Sequence, residues 1–209
     1  MSHPACYIMA QLAPERGATR RARHAIILRL MRRLLLLRHA KSSWDEPHLS
    51  DHARPLNVRG RQAAVAIAGE MRRLGLVPDF VLVSSSRRTL QTLAALEPWA
   101  DPAPRVLPMD ALYLAPASDL LDTLRQVPAT AQAVLLVGHN PGMHDLAMML
   151  AGAQAAATDK QVQRLAEGYP SGALCEFTVA VPWNALGEVG ARLTRLLLPS
   201  DLSEVTLSQ

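Results

Sequence analysis

Cysteine is nearly absent from this chain, and so are aromatic rings. The two cysteines, Cys6 and Cys175, lie far apart in dissimilar contexts without CxxC spacing, so no disulfide framework is expected. Free thiols fit a reducing, cytoplasmic setting. Aromatic residues make up 4%, which leaves few rings for stacking on bases. There is no GxxxxGK[ST] loop, no GxGxxG after an apolar run, no HExxH and no tight His/Cys/Asp cluster. Nucleotide cradling by a glycine-rich loop and zinc chemistry therefore lack support, and no metal is expected. A long hydrophobic run is missing too: AIILRLMRRLLLL is interrupted by Arg29, Arg32 and Arg33, well short of the roughly 20 apolar residues that a membrane span needs. No membrane partner is expected.

The net charge of +4 points to nucleic acid only until it is located. Residues 1–30 hold Arg16, Arg20, Arg21, Arg23 and Arg29 against the single acid Glu15, leaving 17 basic and 17 acidic residues in the remainder. No nucleic-acid partner follows from so balanced a body. The leader mixes Pro, Gly and Arg without a period of 2 or 3.6, so it reads as disordered. Met31 opens MRRLLLLRHA, and the alternative is that the natural chain starts there. An organelle transit peptide is a third reading of the Arg-rich start. Residues 31–209 then form one domain, because 209 residues with 49% hydrophobic and 19% charged are ample for one core.

From Met31 onward, apolar runs alternate with helical patterns. LLLL between Arg33 and Arg38 reads as a buried parallel strand, and Asn57 caps a helix in which Val58, Ala63, Ile67, Met71 and Leu74 recur, with Gly75 as its stop. FVLVSSS leads into RRTLQTLAAL, and a short RVL precedes SDLLDTLRQV, for which Ser118 is the expected cap. AVLLVGHNPG repeats the pattern of strand and polar tip before MHDLAMMLAG, whose Met143, Met148 and Met149 read as core. ALCEFTVAV alternates as a sheet-edge strand, and RLTRLLL is the last. The expected architecture is a three-layer α/β/α fold with a doubly wound, mostly parallel sheet.

Ligands of such sheets collect at the carboxyl ends of the strands, and these ends carry RHA, SSSRR and GHN. Arginine forks match phosphate oxygens and imidazole is a nucleophile at neutral pH, so the set suits phosphoryl transfer.

The segments LLLLRHAKSSW, RPLNVRGRQAA, VLVSSSRRTLQT, ALYLA and VLLVGHNPGMHDLA, in this order, resemble the SixA-type branch of the histidine phosphatase superfamily, the phosphoglycerate mutase-like fold. The resemblance runs from Met31 to about Asp201. It implies a phosphatase in which Arg38 and His39 form the family's Arg-His pair, with Ala40 where much of the superfamily has glycine. Arg88 is the phosphate-binding arginine of the Ser-x-x-x-Arg-x-x-Gln-Thr pattern, with Ser84, Gln91 and Thr92 in the other places, and His139 is the second histidine. Arg54 in RPLN matches an arginine near the phosphate pocket, although Asn57 replaces the usual threonine. Lys41, just past the catalytic pair, is a candidate substrate contact.

The implied mechanism has one nitrogen of His39 attack phosphorus while the other donates to a carbonyl. Arg38, Arg88 and a protonated His139 neutralise charge, and water hydrolyses the phosphohistidine without a cofactor. Asp110, before ALYLA, is the candidate general acid, against the plainer reading of a loop or cap aspartate. Absence of an acid favours a phosphohistidine-bearing protein as substrate; a small-molecule phosphate-ester phosphatase or mutase is the alternative, and a non-catalytic phosphate- or phosphoprotein-binding adaptor a further one. His48, His52 and His144 read as surface or cap residues, with His144 nearest the cleft.

Overall fold

The computed structural model describes residues 31–152 and 155–205. The expectations for the leader fall outside the described residues. Six strands form one sheet: β1 (Arg32–Arg38), β2 (Phe80–Ser84), β3 (Arg105–Met109), β4 (Ala133–Gly138), β5 (Leu174–Val179) and β6 (Ala191–Leu197). Their spatial order is β3-β2-β4-β1-β5-β6. The pairs β1/β4, β2/β4 and β2/β3 are parallel, whereas β1/β5 and β5/β6 are antiparallel. The helices are α1 (Val58–Arg73), α2 (Arg87–Ala94), α3 (Ala117–Arg125), α4 (Gly142–Ala151), α5 (Lys160–Glu167) and α6 (Pro199–Val205).

The leucine run of β1 shows why the fold has three layers. Side chains alternate across a strand, and here both faces are covered, so Leu34 to Leu37 are all at most 1% exposed. Leu34 and Leu36 pack with Leu120 and Leu124 of α3, Leu146 of α4 and Leu165 of α5. Leu35 and Leu37 pack with Ile67 and Met71 of α1 and Leu93 of α2. A continuous apolar run is what a strand buried on both faces requires.

Three local expectations are corrected. ALCEFTVAV is not at the sheet edge: β5 lies between β1 and β6, and the edge falls to β6. Its alternation comes from an uneven cover, with Glu176 half-buried and bonded to Arg33 and Arg195. Ser118 does not cap α3; the helix starts at Ala117 after Pro116, and the Ser118 hydroxyl donates to Asp119. The buried face of α1 is turned relative to the expected one, so that Gly60, Ala64, Ile67, Ala68 and Met71 face inward while Val58 is 61% exposed. The cause is Gly60, which lies so close to the backbone of Lys41 that a Cβ there would stand 2.0 Å from the Lys41 carbonyl oxygen. The two ends of α1 are as expected: Asn57 Oδ1 accepts from the Gly60 amide at 2.8 Å, and Gly75 follows with φ +64°.

Candidate active site

Parallel pairing puts the carboxyl ends of β1, β2 and β4 side by side, and the polar residues after them converge. His39 follows β1 and His139 follows β4; their ring centroids are 5.0 Å apart and the planes are tilted by 56°. The His39 amide donates to the Gly138 carbonyl at 3.1 Å, which ties the two tips. Arg88, in the first turn of α2, brings its guanidinium to His139, with Nη2 3.3 Å from Nδ1. His39, Arg88 and His139 are 8%, 3% and 2% exposed, so each side chain has exchanged water for defined partners.

These partners fix the tautomers. A carbonyl oxygen only accepts, so the 2.7 Å contact between His39 Nδ1 and the Ala40 oxygen is an Nδ1–H donor bond. Nε2 of His39 carries the lone pair and has no hydrogen bond among the described residues. Burial first, then Arg88 and Arg38, bring His39 down to about 4 against the raising effect of the Ala40 bond, so the ring is neutral at pH 7. For His139 the logic runs the other way round the ring: an arginine only donates, so Nδ1 accepts, and Nε2–H donates to Ser84 Oγ at 2.8 Å. Burial, then His39 and Arg88, push His139 down to about 3. The expectation of a protonated His139 is therefore corrected, because a guanidinium takes the lone pair that a second proton would need.

The other motif positions hold the frame. Thr92 Oγ1 accepts from the Ala40 amide at 3.0 Å and donates to the Arg88 carbonyl at 2.7 Å, coupling β1's tip to α2. Gln91 Oε1 accepts from the Leu56 amide at 2.7 Å. Arg38 donates from Nη1 to the Tyr169 carbonyl at 2.7 Å, and burial lowers its pKa. The Arg38 Nε is buried with no hydrogen-bond partner among the described residues. The Gly172 amide donates to the carbonyls of Arg38 and His39, both at 3.1 Å, at φ +83°.

Arg54 lies beside this group and is 7% exposed. It donates to the Ser43 carbonyl, Ser42 Oγ and Asp51 Oδ1 at 2.8, 2.9 and 2.8 Å, and Trp44, itself 78% exposed, covers its guanidinium at 3.2 Å. Lys41 is exposed; its carbonyl accepts from the Asn57 amide. Among the described residues Asp110 makes no hydrogen bond to His39 or His139; its carboxylate accepts from Ser85 Oγ.

Sequence reasoning missed Asp51. Its carboxylate bridges Arg54 and Arg88, accepting from Arg88 Nη2 at 2.9 Å and from the Tyr113 hydroxyl at 2.5 Å, and its carbonyl accepts from Arg88 Nη1. The Tyr113 bond, followed by those from Arg54 and Arg88, holds the Asp51 carboxyl down at about 2. The one sequence signal was its place three residues before Arg54 in SDHARPLN. His144 has its Nε2 on the Leu165 carbonyl and its ring stacked on Tyr169. His52 stands at the pocket, with its ring edge-on to Tyr113 at 4.8 Å. Among the described residues no group of three or more His, Cys, Asp or Glu could hold a metal ion, and no helix is long and apolar enough to cross a membrane.

Residues 34–108 match the model of the histidine phosphatase superfamily, branch 1. An uncharacterised protein of Mycobacterium tuberculosis (strain CDC 1551 / Oshkosh) is 33% identical over 150 residues, 70% of this chain and 89% of that one. An uncharacterised chloroplastic protein of Arabidopsis thaliana is 33% identical over 133 residues, and the match covers 59% of this chain and 61% of that relative. Among solved structures, two proteins provisionally assigned as phosphohistidine phosphatase SixA are similar. The one from Nakamurella multipartitia has 29% identity and a TM-score of 0.71 over 81% of this chain and 96% of its own. The one from Agrobacterium tumefaciens has 30% identity and a TM-score of 0.66 over 80% and 98%. Sequence, sheet topology and the relatives agree: the chain belongs to the histidine phosphatase superfamily, in the phosphoglycerate mutase-like fold.

Proposed function

We propose that this chain is a phosphohydrolase that passes the phosphoryl group through His39, and that its substrate is a phosphohistidine-bearing protein. The observation that carries the reading is the Nδ1–H bond from His39 to the Ala40 carbonyl, which leaves Nε2 unprotonated and aimed away from its own backbone partner. A nucleophile held neutral at pH 7 needs no base to free its lone pair. Nε2 attacks phosphorus, the bond to the leaving atom breaks with its electron pair, and water later attacks phospho-His39 to give inorganic phosphate. Arg38 and Arg88 supply fixed positive charge for the transferring oxygens, and His139, oriented by Ser84, completes the pocket. Arg54 and Lys41 are assigned to the substrate side of the site, and no cofactor enters a step. The chain from residue 31 to 209 is taken as the catalytic domain, in the cytoplasm. The similarity to SixA structures at about 30% identity supports the protein substrate.

The test is phosphate release from a phosphohistidine protein and from a small phosphate ester in parallel, in chelator-treated buffer, with the natural chain and His39→Ala. Release from the phosphohistidine protein, reduced at least about 10³-fold in the variant, is the expected outcome. Faster turnover of the ester would replace the substrate by a small molecule. Phosphate binding without turnover of either would overturn catalysis in favour of an adaptor.

A further inference from the structure

Among the described residues, His52 is the one imidazole beside Tyr113 and His139 that neither attacks phosphorus in the proposed reaction nor is locked by an arginine. It lies in the short helical turn Asp51–Ala53, next to the carboxylate that grips Arg88. Its Nε2 is 3.0 Å from Ser85 Oγ, and Ser85 donates its own hydroxyl hydrogen to Asp110. An ionised carboxylate can only accept, so the Ser85 proton is committed to Asp110, and His52 Nε2 must be the donor to Ser85. The chain Asp110–Ser85–His52 thus fixes one end of the ring and draws negative charge toward it. Nδ1 of His52 has no hydrogen bond among the described residues. The ring is half-buried, set edge-on against Tyr113 at 4.8 Å, and Tyr113 is in turn edge-on to His139 at 5.4 Å.

The alternatives at the mouth of the pocket are each disqualified by their partners. Asp51 is bonded by two arginines and a tyrosine and stays ionised. The Tyr113 hydroxyl is spent on Asp51. Asp110 is one hydroxyl removed from the pocket. We infer that His52, backed by Ser85 and Asp110, is the acid that gives a proton to the leaving atom when His39 takes the phosphoryl group. In that step the P–O or P–N bond breaks, its electron pair stays on the leaving atom, and that pair takes the Nδ1 proton of the His52 imidazolium, which becomes the neutral Nε2–H tautomer already bonded to Ser85. Water attacking phospho-His39 then returns a proton to Nδ1, so the cycle closes. Ser85 and Asp110 act as positioning residues, and Asp110 enters the reaction through His52 and not as the acid itself.

The inference rests on the phosphohydrolase reading, and leaving-group dependence separates the two. The full chain, His52→Gln and Ser85→Ala are assayed on p-nitrophenyl phosphate, whose leaving group departs as a stable anion, and on phenyl phosphate, whose leaving group needs a proton. General acid catalysis contributes about 10²–10⁴-fold, so His52→Gln is expected to lose at least about tenfold more on phenyl than on p-nitrophenyl phosphate, with Ser85→Ala shifted the same way by less. Equal losses on both esters in both variants would overturn the acid role and leave His52 as a structural neighbour of Asp51. If the unaltered chain hydrolyses neither ester and no phosphohistidine protein, the phosphohydrolase reading falls, and this inference with it.

Discussion

Replacing Asp51 by asparagine keeps the shape of the side chain and removes the charge that binds Arg54 and Arg88. The Asp51 carboxyl titrates at about 2 in the folded protein against an ordinary 3.8, first because Tyr113 donates to it and then because of the arginines. A fully sheltered carboxylate with that difference would contribute about 2–3 kcal/mol. With 45% of the side chain open to water, screening reduces this to about 1 kcal/mol, or about 2–4 °C in melting temperature for a domain of this size. The folded value lies below the unfolded one, so the contribution is complete above about pH 4 and disappears as the pH falls toward 2. The melting temperatures of the natural chain and Asp51→Asn should therefore differ at pH 7 and converge in acid. Orthophosphate binding should move the opposite way. Asp51 holds the Arg88 donors that an oxyanion would use, and relieving about 1 kcal/mol of competition strengthens phosphate binding roughly fivefold. Calorimetric melting from about pH 2 to 8 and titration calorimetry with orthophosphate measure both. Weaker phosphate binding in Asp51→Asn, or a melting gap that persists undiminished in acid, would refute the reasoning.

Histidine NMR titration should find His39 protonating near pH 4 and His139 near pH 3, both far below the unfolded imidazole; these lowered values withdraw stability as the pH falls from about 6.5, and a titration of either ring near 6.5 would contradict the assigned tautomers. Gly142→Ala would put a Cβ 2.0 Å from the Ala115 carbonyl oxygen, so a loss of about 1–3 kcal/mol and lower turnover are expected, because α4 starts just after His139; an unchanged melting temperature would show that the close approach is not rigid.

Much of this fold was legible because its strands are simple. LLLL, FVLV and VLLV are each too apolar and too short for anything except strands buried on both faces, and each ends in the polar residues that make the pocket. His39, Arg38 and His139 could be named because they follow those runs directly, whereas Arg88 was separated from its neighbour Arg87 only by the family pattern it resembles. Asp51 and His52 could not, since they lie in a segment whose only regular element is one short turn, and their positions depend on Arg88, 37 residues away from Asp51, and on Ser85. The protonation of His139 was misjudged for a similar reason: it is decided by an arginine in the first turn of α2, 51 residues away, which no local pattern records. Tyr169 escaped notice as well, although its carbonyl holds both Arg38 Nη1 and Asn140 Nδ2, because a backbone acceptor has no sequence signature.

The strand order has a consequence for the chain while it is being made. Among the described residues β1 pairs only with β4 and β5, so the leucine strand finds its first sheet partner about 100 residues later in the chain. At roughly 5–20 residues per second, that is an interval of about 5–20 s in which four consecutive leucines have emerged from the ribosome with neither edge paired. An apolar strand with both edges open is a template for pairing with other chains. Newly synthesised molecules halted before β4 should therefore be the aggregation-prone population and the natural clients of chaperones, whereas release of the completed β4 lets the first strand close into the centre of the sheet.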